Sequence, residues 1–128
     1  MKQEIKFRGK RLDNGEWIFG SLFNFEGECE IADCNTIDYS RYDVDPSSVD
    51  QYTRLKDKNG KEIYEGDIVC LGDTKRRTGV IVRSETEPAF VLEVNDTDFD
   101  LYYRNQHRYE VVGNIHDTPE LLKTVRHE

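Results

Sequence analysis

The chain has 128 residues, a net charge of −8 and 34% charged residues, which suits one domain or one domain with a smaller subdomain. This acidic balance disfavours a general electrostatic grip on the phosphates of DNA or RNA. The apolar fraction is only 36%, but seven tyrosines, six phenylalanines and one tryptophan can each bury a large area. We therefore expect a folded protein with charged loops, not a disordered chain.

The charge is unevenly distributed along the chain. Residues 1–11 carry a net charge of +4, whereas residues 12–50 carry ten acids against Arg41 alone, a net charge of −9. The ordinary interpretation of this acidic segment is a solvated face. The alternative is a surface that imitates nucleic acid or binds a basic partner.

Cysteine usage and the absence of apolar segments indicate the compartment. Cys29, Cys34 and Cys70 form an odd set, and the first residues contain no apolar signal segment. No apolar run approaches the length of a membrane span. We expect reduced thiols, no membrane association and a cytoplasmic location.

The first predicted elements form a β-hairpin. Residues 5–7 alternate apolar and polar side chains, as a half-buried strand does. An Asn-Gly pair at 14–15, the strongest short-range hairpin signal, separates them from a longer strand at 17–25. Residues 4–25 therefore predict a hairpin, with Gly20 as a bulge or bend.

The next segment is less regular. Residues 28–31 and 36–39 are candidates for a second, shorter hairpin. Residues 42–45 look extended because a residue before proline avoids the helical region, and Pro46 is expected to begin one helical turn.

The remaining chain predicts several short strands and a short helix. A second Asn-Gly turn at 59–60 leads to Gly66-Asp67, the expected corner before a buried strand. The predicted strands are 67–71, 78–83, 89–94 and 109–115, with a strand or a loop at 99–103. This spacing is typical of a small barrel or sandwich. Asp117 or Thr118 is expected to cap a terminal helical turn that begins at Pro119.

Several stretches of the sequence resemble the YopX family in their residues and in their order along the chain. They are Ile5–Lys10, Gly15–Gly20, Gln51–Val69, and Tyr109–His116 with Pro119–Leu122. The resemblance implies a small phage or prophage protein of unestablished biochemical role, located in the cytoplasm of a bacterial host cell. It also implies a mainly β fold whose C-terminal half resembles an SH3 barrel, and it brings no catalytic residues. Arg54 stands where many relatives carry a small residue such as glycine.

Together these features predict two subdomains. An N-terminal hairpin region at 1–55 is expected to pack with a small SH3-like barrel at 56–128, which ends in the short helix. The two are expected to form one YopX-like unit.

Candidate sites for metal or acid–base chemistry are weak. The cysteines and histidines lack the paired spacing of a structural zinc site, and we expect Cys70 in a strand with Cys29 and Cys34 in a loop. Residues 95–100 superficially resemble a calcium loop but lack its glycine and distal glutamate, so we expect an acidic turn between two strands. Asp67 is expected to cap its turn. We expect no cofactor, no metal and no enzymatic activity.

Two surfaces could bind a partner. Trp17, Phe19, Phe23 and Phe25 occupy alternate positions of one strand and so share a face, which we expect to contact a protein partner or a second copy of the chain. The alternative is a nucleic-acid-binding surface that combines cations with aromatic rings. Its candidates are Lys75, Arg76, Arg77, Tyr102, Tyr103, Arg104 and Arg108.

Overall fold

A computed structural model describes residues 5–38, 40–72, 77–95 and 97–122, with only the backbone at 103 and 104. The described residues are mainly β, as predicted, and the chain divides into two compact units, Met1–Tyr52 and Thr53–Glu128. The expected boundary between residues 55 and 56 stays a prediction. Within these residues no helix is long and apolar enough to cross a membrane.

The first six strands form one antiparallel sheet. They are β1 Phe7–Lys10, β2 Trp17–Phe25, β3 Glu28–Asp33, β4 Arg41–Val44, β5 Asp50–Lys56 and β6 Glu62–Tyr64. Their order is β4-β3-β2-β1-β5-β6. Strand β5 begins in the first unit, where Asp50 pairs with Arg8, and continues into the second, where the Thr53 hydroxyl donates to the carbonyl of Ile63.

The predicted N-terminal hairpin is confirmed. Lys10 pairs with Trp17, and Phe7 pairs with Gly20. The turn closes as predicted: the amide of Gly15 donates to the carbonyl of Arg11, and Gly15 has a φ of 74°. Asn14 supports the turn by accepting a hydrogen bond from the amide of Glu16.

The second predicted hairpin is half correct. Residues 28–31 lie in β3 as predicted, whereas residues 36–38 form a turn and Tyr39 lies outside the described residues. The Asp33 carboxylate accepts from the amide of Asn35, and the Thr36 hydroxyl accepts from the amide of Ser40. These side chains stabilise a turn in place of a strand ladder.

The helical turn at Pro46 is confirmed. A 3₁₀ helix spans Pro46–Ser48, with proline in its first turn. Its N-cap is Asp45, whose carboxylate accepts from the amide of Ser47 at 3.0 Å. A proline at the start of a helical turn loses no hydrogen bond, since that position has no acceptor inside the helix.

The core of the first unit is small and enclosed by a curled sheet. A single bridge between Arg11 and Val44 brings the end of β4 to the end of β1. The buried residues of this core are Ile18, Cys29, Ile31 and Val44. The expectation of Cys29 in a loop is wrong, because β3 begins at Glu28 and therefore includes Cys29. Alternation along the strand turns Cys29 inward, on the same side as Ile31. Cys34 lies in an exposed turn.

The second sheet contains the four predicted C-terminal strands and a fifth strand at residues 97–100. They are β7 Asp67–Leu71, β8 Arg77–Arg83, β9 Phe90–Val94, β10 Thr97–Asp100 and β11 Tyr109–Asn114. Their order is β10-β9-β8-β7-β11. In the part of the chain that the structure describes, β10 and β11 lie at opposite edges and no closed barrel forms, so the SH3-like detail is not confirmed. A 3₁₀ helix at Tyr103–Arg108 follows β10.

Two predicted local features of the second unit are also confirmed. Asp67 is 1% exposed, and its carboxylate accepts from the amide of Tyr64 at 2.7 Å, so it caps the turn at Gly66. Residues 120–122 are helical, and the described chain ends there. The amide of Leu121 donates to the carbonyl of Thr118.

Arg54 adopts a backbone conformation that favours glycine. It lies exposed in β5 with a φ of 72°, a left-handed value that costs an L-residue about 1–2 kcal/mol. We expect Arg54→Gly to stabilise the protein by about 0.5–1 kcal/mol, since glycine loses some of this gain to chain entropy. Urea denaturation measures the free energy of unfolding of wild type, Arg54→Gly and Arg54→Ala. The alanine variant is the control, because it keeps the strained backbone. An equal gain in the alanine variant would contradict the explanation.

Candidate functional site

The four aromatic residues predicted as a partner surface share one face of β2. Ile18, between the first two, points into the core and is 7% exposed. Alternation therefore places Trp17, Phe19, Phe23 and Phe25 on the opposite side of the strand. We call these four residues, with the cations stacked on them, the aromatic face.

Cations cover two of these rings. The guanidinium of Arg8 lies 4.7 Å from the Trp17 ring centroid, and the ammonium of Lys10 lies 5.4 Å from it. The guanidinium of Arg41 lies 4.0 Å from the Phe23 ring centroid. The ring quadrupole attracts a cation at such distances, and each contact is worth about 0.5–1 kcal/mol at exposed sites.

Carboxylates form ion pairs with both of these guanidinium groups. Arg8 forms a buried ion pair with Asp50 at 3.0 Å, and each residue is 6% exposed. Arg41 forms a half-exposed ion pair with Glu30 at 2.8 Å. The Arg8 end of the aromatic face is therefore a buried, fixed arrangement, whereas the Arg41 end is open to solvent.

Phe25 is the most exposed ring of the face. It lies at the end of β2 and remains 60% exposed. Glu26 in the adjoining turn and Glu28 at the start of β3, opposite Phe25, add exposed carboxylates. The open end of the aromatic face therefore combines an accessible ring, a stacked arginine beside it and an acidic rim.

Exposed carboxylates of the first unit are themselves held by local hydrogen bonds. The Arg11 guanidinium donates to both oxygens of Asp13 and lowers the pKa of that carboxyl below its ordinary value. The Ser40 hydroxyl donates to the Asp38 carboxylate and likewise lowers the pKa of that carboxyl. Both groups stay charged in weakly acidic solution, which preserves the acidic surface.

A cavity of about 340 Å³ lies in the second unit. Its apolar walls include Leu71, Leu92 and Tyr109, which are 8%, 1% and 3% exposed. The Tyr109 hydroxyl accepts from the amide of Tyr102 at 3.2 Å and so anchors the segment that follows β10. The cavity is therefore built on the core of this unit.

Polar and aromatic groups complete the lining. They are Arg77, Asp98, Phe99, Asp100, Leu101, Tyr102, Asn105 and Arg108. The guanidinium of Arg77 lies 5.2 Å from the Phe99 ring centroid, and the Tyr102 hydroxyl donates to Asp100 at 3.3 Å. The lining thus includes two arginines, two aspartates, an asparagine and aromatic residues around an apolar floor.

The predicted basic and aromatic residues are partly brought together by this cavity. Arg77, Tyr102 and Arg108, which are separated in sequence, all line it. Lys75 and Arg76 lie outside the described residues, as do the side chains of Tyr103 and Arg104. The prediction therefore stays open for these four.

Sequence reasoning missed the other half of the cavity. Residues 95–100 were expected to form an acidic turn, but residues 97–100 form β10 beside β9. This pairing carries Asp98 and Asp100 to the cavity. Of the two alternatives expected for residues 99–103, a strand is found at residues 99 and 100 only, and the alternation of Asp98, Phe99 and Asp100 is the sequence signal for it. Among the described side chains, no three His, Cys, Asp or Glu residues are grouped to hold a metal ion.

These features define a small, mainly β protein of two compact units, with an aromatic face in the first unit and a cavity in the second. The family model described as YopX protein matches residues 6–123, so the chain belongs to the YopX family. The solved structure of protein EF1440 from Enterococcus faecalis is similar to it, with 26% sequence identity and a TM-score of 0.56. That similarity covers 94% of this chain and 99% of the other. No curated protein matches the sequence.

Proposed function

We propose that this protein is a non-enzymatic phage or prophage accessory module that binds a protein partner through its aromatic face. The observation that supports this most strongly is Phe25, an exposed ring next to the Arg41–Phe23 stack. Aromatic residues and arginine are the side chains most enriched among those that dominate binding energy in protein interfaces. A stacked arginine is also already ordered, so less side-chain entropy is lost on binding.

Charge favours a different protein over a second copy of the chain. The whole chain carries a net charge of −8, and the rim of the aromatic face includes Glu26 and Glu28. Two copies that met through this rim would bring like charges together, which opposes association. A partner with a basic rim around an apolar pocket would fit the face.

Affinity capture of the tagged protein from cells that express it tests this proposal. Wild type is compared with Phe25→Ser, which removes the exposed ring, and with the matched control Ile37→Ser, which removes another exposed apolar side chain in the turn after β3. We expect one protein to be captured in stoichiometric amount by wild type and the control, and its recovery to fall about tenfold or more with Phe25→Ser.

Two outcomes would contradict the proposal. One is capture that is equal for Phe25→Ser and wild type. The other is light scattering that shows a mass rising with concentration, because the aromatic face would then serve self-assembly.

A second candidate function is nucleic-acid binding at the cavity of the second unit. It is favoured by the convergence of Arg77, Tyr102 and Arg108 on one cavity. The net charge of the chain and the carboxylates of Asp98 and Asp100 oppose it. Filter binding with single- and double-stranded pools at low salt discriminates: retention that falls steeply with salt would favour this function.

A further inference from the structure

The cavity of the second unit has the form of a small-molecule site. Its volume of about 340 Å³ lies at the lower end of the range for such sites, which is roughly 300–1,000 Å³. Its floor is made of buried core side chains, and its polar groups converge from β8, β10 and the 3₁₀ helix Tyr103–Arg108. A largely preformed apolar floor with a few placed polar groups is the general pattern of a ligand site.

The two guanidinium groups of the cavity suit a single anionic group. Arg77 begins β8, with its guanidinium 5.2 Å from the Phe99 ring centroid, and Arg108 ends the 3₁₀ helix. The two arginines therefore come from separate elements and line the same cavity. A guanidinium carries five N–H donors, so it can bind a phosphate in addition to its partners within the protein. Arginine also matches phosphate oxygens bidentately.

The remaining lining suits a flat ring and a sugar. The Tyr102 ring is 43% exposed, and its backbone is anchored by Tyr109, so it offers a fixed π surface. The amide of Asn105 can both donate to and accept from the edge of a base. Asp98 and Asp100 supply acceptors that sugar hydroxyls can reach as donors.

We propose that this cavity binds a nucleoside monophosphate. The phosphate lies between Arg77 and Arg108, the base stacks on Tyr102 with its edge toward Asn105, and the ribose hydroxyls donate to Asp98 and Asp100. This site is independent of the aromatic face, so either proposal can fail alone.

A single nucleotide fits this lining better than a strand of DNA or RNA does. The cavity is small, and its two carboxylates would repel the successive phosphates of a polymer. The net charge of −8 adds to that repulsion at long range. One phosphate held by two arginines meets no such series of charges.

Isothermal titration calorimetry of the full chain tests the proposal. The probes are the four common nucleoside monophosphates, the matching uncharged nucleosides, ribose 5-phosphate and inorganic phosphate. We expect at least one monophosphate to bind, and its affinity to exceed that of its nucleoside and of inorganic phosphate by about tenfold or more, since base and phosphate both contribute.

Variants assign the binding to the cavity. Arg108→Ala and Tyr102→Ala are each expected to weaken binding of the monophosphate about tenfold, whereas Arg83→Ala, which removes an exposed arginine of β8 outside the cavity, leaves the affinity unchanged. Circular dichroism checks that each variant is folded. NMR titration of wild type gives a readout that needs no variant: the amide signals of residues 98–108 are expected to shift on addition of the nucleotide.

Three outcomes would overturn the proposal. One is the absence of heat and of shifts with every monophosphate up to millimolar concentration. A second is inorganic phosphate binding as tightly as the nucleotide, which would show a general anion site. The third is salt-sensitive binding of oligonucleotides without binding of monophosphates, which would show a strand-binding surface.

Discussion

Asp57→Ala is expected to destabilise the protein by about 3 kcal/mol, because this carboxylate holds three backbone amides. Asp57 is 5% exposed. One of its oxygens accepts from the amides of Asn59 and Lys61, both at 2.9 Å, within the second Asn-Gly turn. The other accepts from the amide of Val111 in β11 at 3.0 Å, across 54 residues of chain. Alanine would leave all three donors without this acceptor.

Urea denaturation followed by circular dichroism measures this loss of stability. Asp57→Asn is the matched variant, because it preserves the shape and one acceptor oxygen but places an NH₂ donor where the other oxygen was. We expect its loss to be intermediate, about 1–2 kcal/mol. A loss below about 1 kcal/mol for Asp57→Ala would show that water replaces the carboxylate and that the turn does not depend on it.

Gly20→Ala is expected to lower the free energy of unfolding at least as much as Asp57→Ala does, by about 3 kcal/mol or more. Gly20 lies where β2 pairs with β1 on one side and with β3 on the other, opposite Phe7 and Asp33. A Cβ atom there would lie 1.8 Å from the carbonyl oxygen of Ala32, far inside van der Waals contact. Because that atom belongs to the backbone, β3 would have to move away from β2.

Gly72→Ala is the matched control for this substitution. Its Cβ atom would meet nothing closer than the carbonyl oxygen of Arg108 at 3.6 Å, an ordinary contact. We expect its unfolding free energy to stay within about 0.5 kcal/mol of wild type in the same urea experiment. Equal losses in the two variants would show that the close approach of Ala32 is not what requires glycine at position 20.

Local signals predicted most of the secondary structure. The Asn-Gly turn at 14–15 fixed the first hairpin, and the corner at Gly66 with Asp67 was predicted together with its capping role. These succeed because the turn residues and their hydrogen bonds lie within a few positions of each other. The turn at 36–38 was missed because short polar side chains there bond to the backbone, which competes with strand pairing.

Long-range contacts could not be predicted in the same way. Nothing near Asp57 indicates that its carboxylate reaches β11. Nothing in residues 95–100 indicates that Asp98 and Asp100 line one cavity with Arg77. Each contact depends on strand register, which the sheet as a whole determines. The aromatic face was predicted because alternation along β2 needs no partner, but the cations that cover Trp17 and Phe23 come from β1 and β4.

Equilibrium binding of the captured partner to purified wild type and Phe25→Ser is the most direct test of a partner site on the aromatic face. Tyr102→Ala, which alters only the cavity of the second unit, and Ile37→Ser serve as controls. We predict that Phe25→Ser alone raises Kd, by about thirtyfold, the effect of truncating a dominant interface residue by about 2 kcal/mol. A Kd unchanged by Phe25→Ser but raised by Tyr102→Ala would contradict this and place the partner at the cavity.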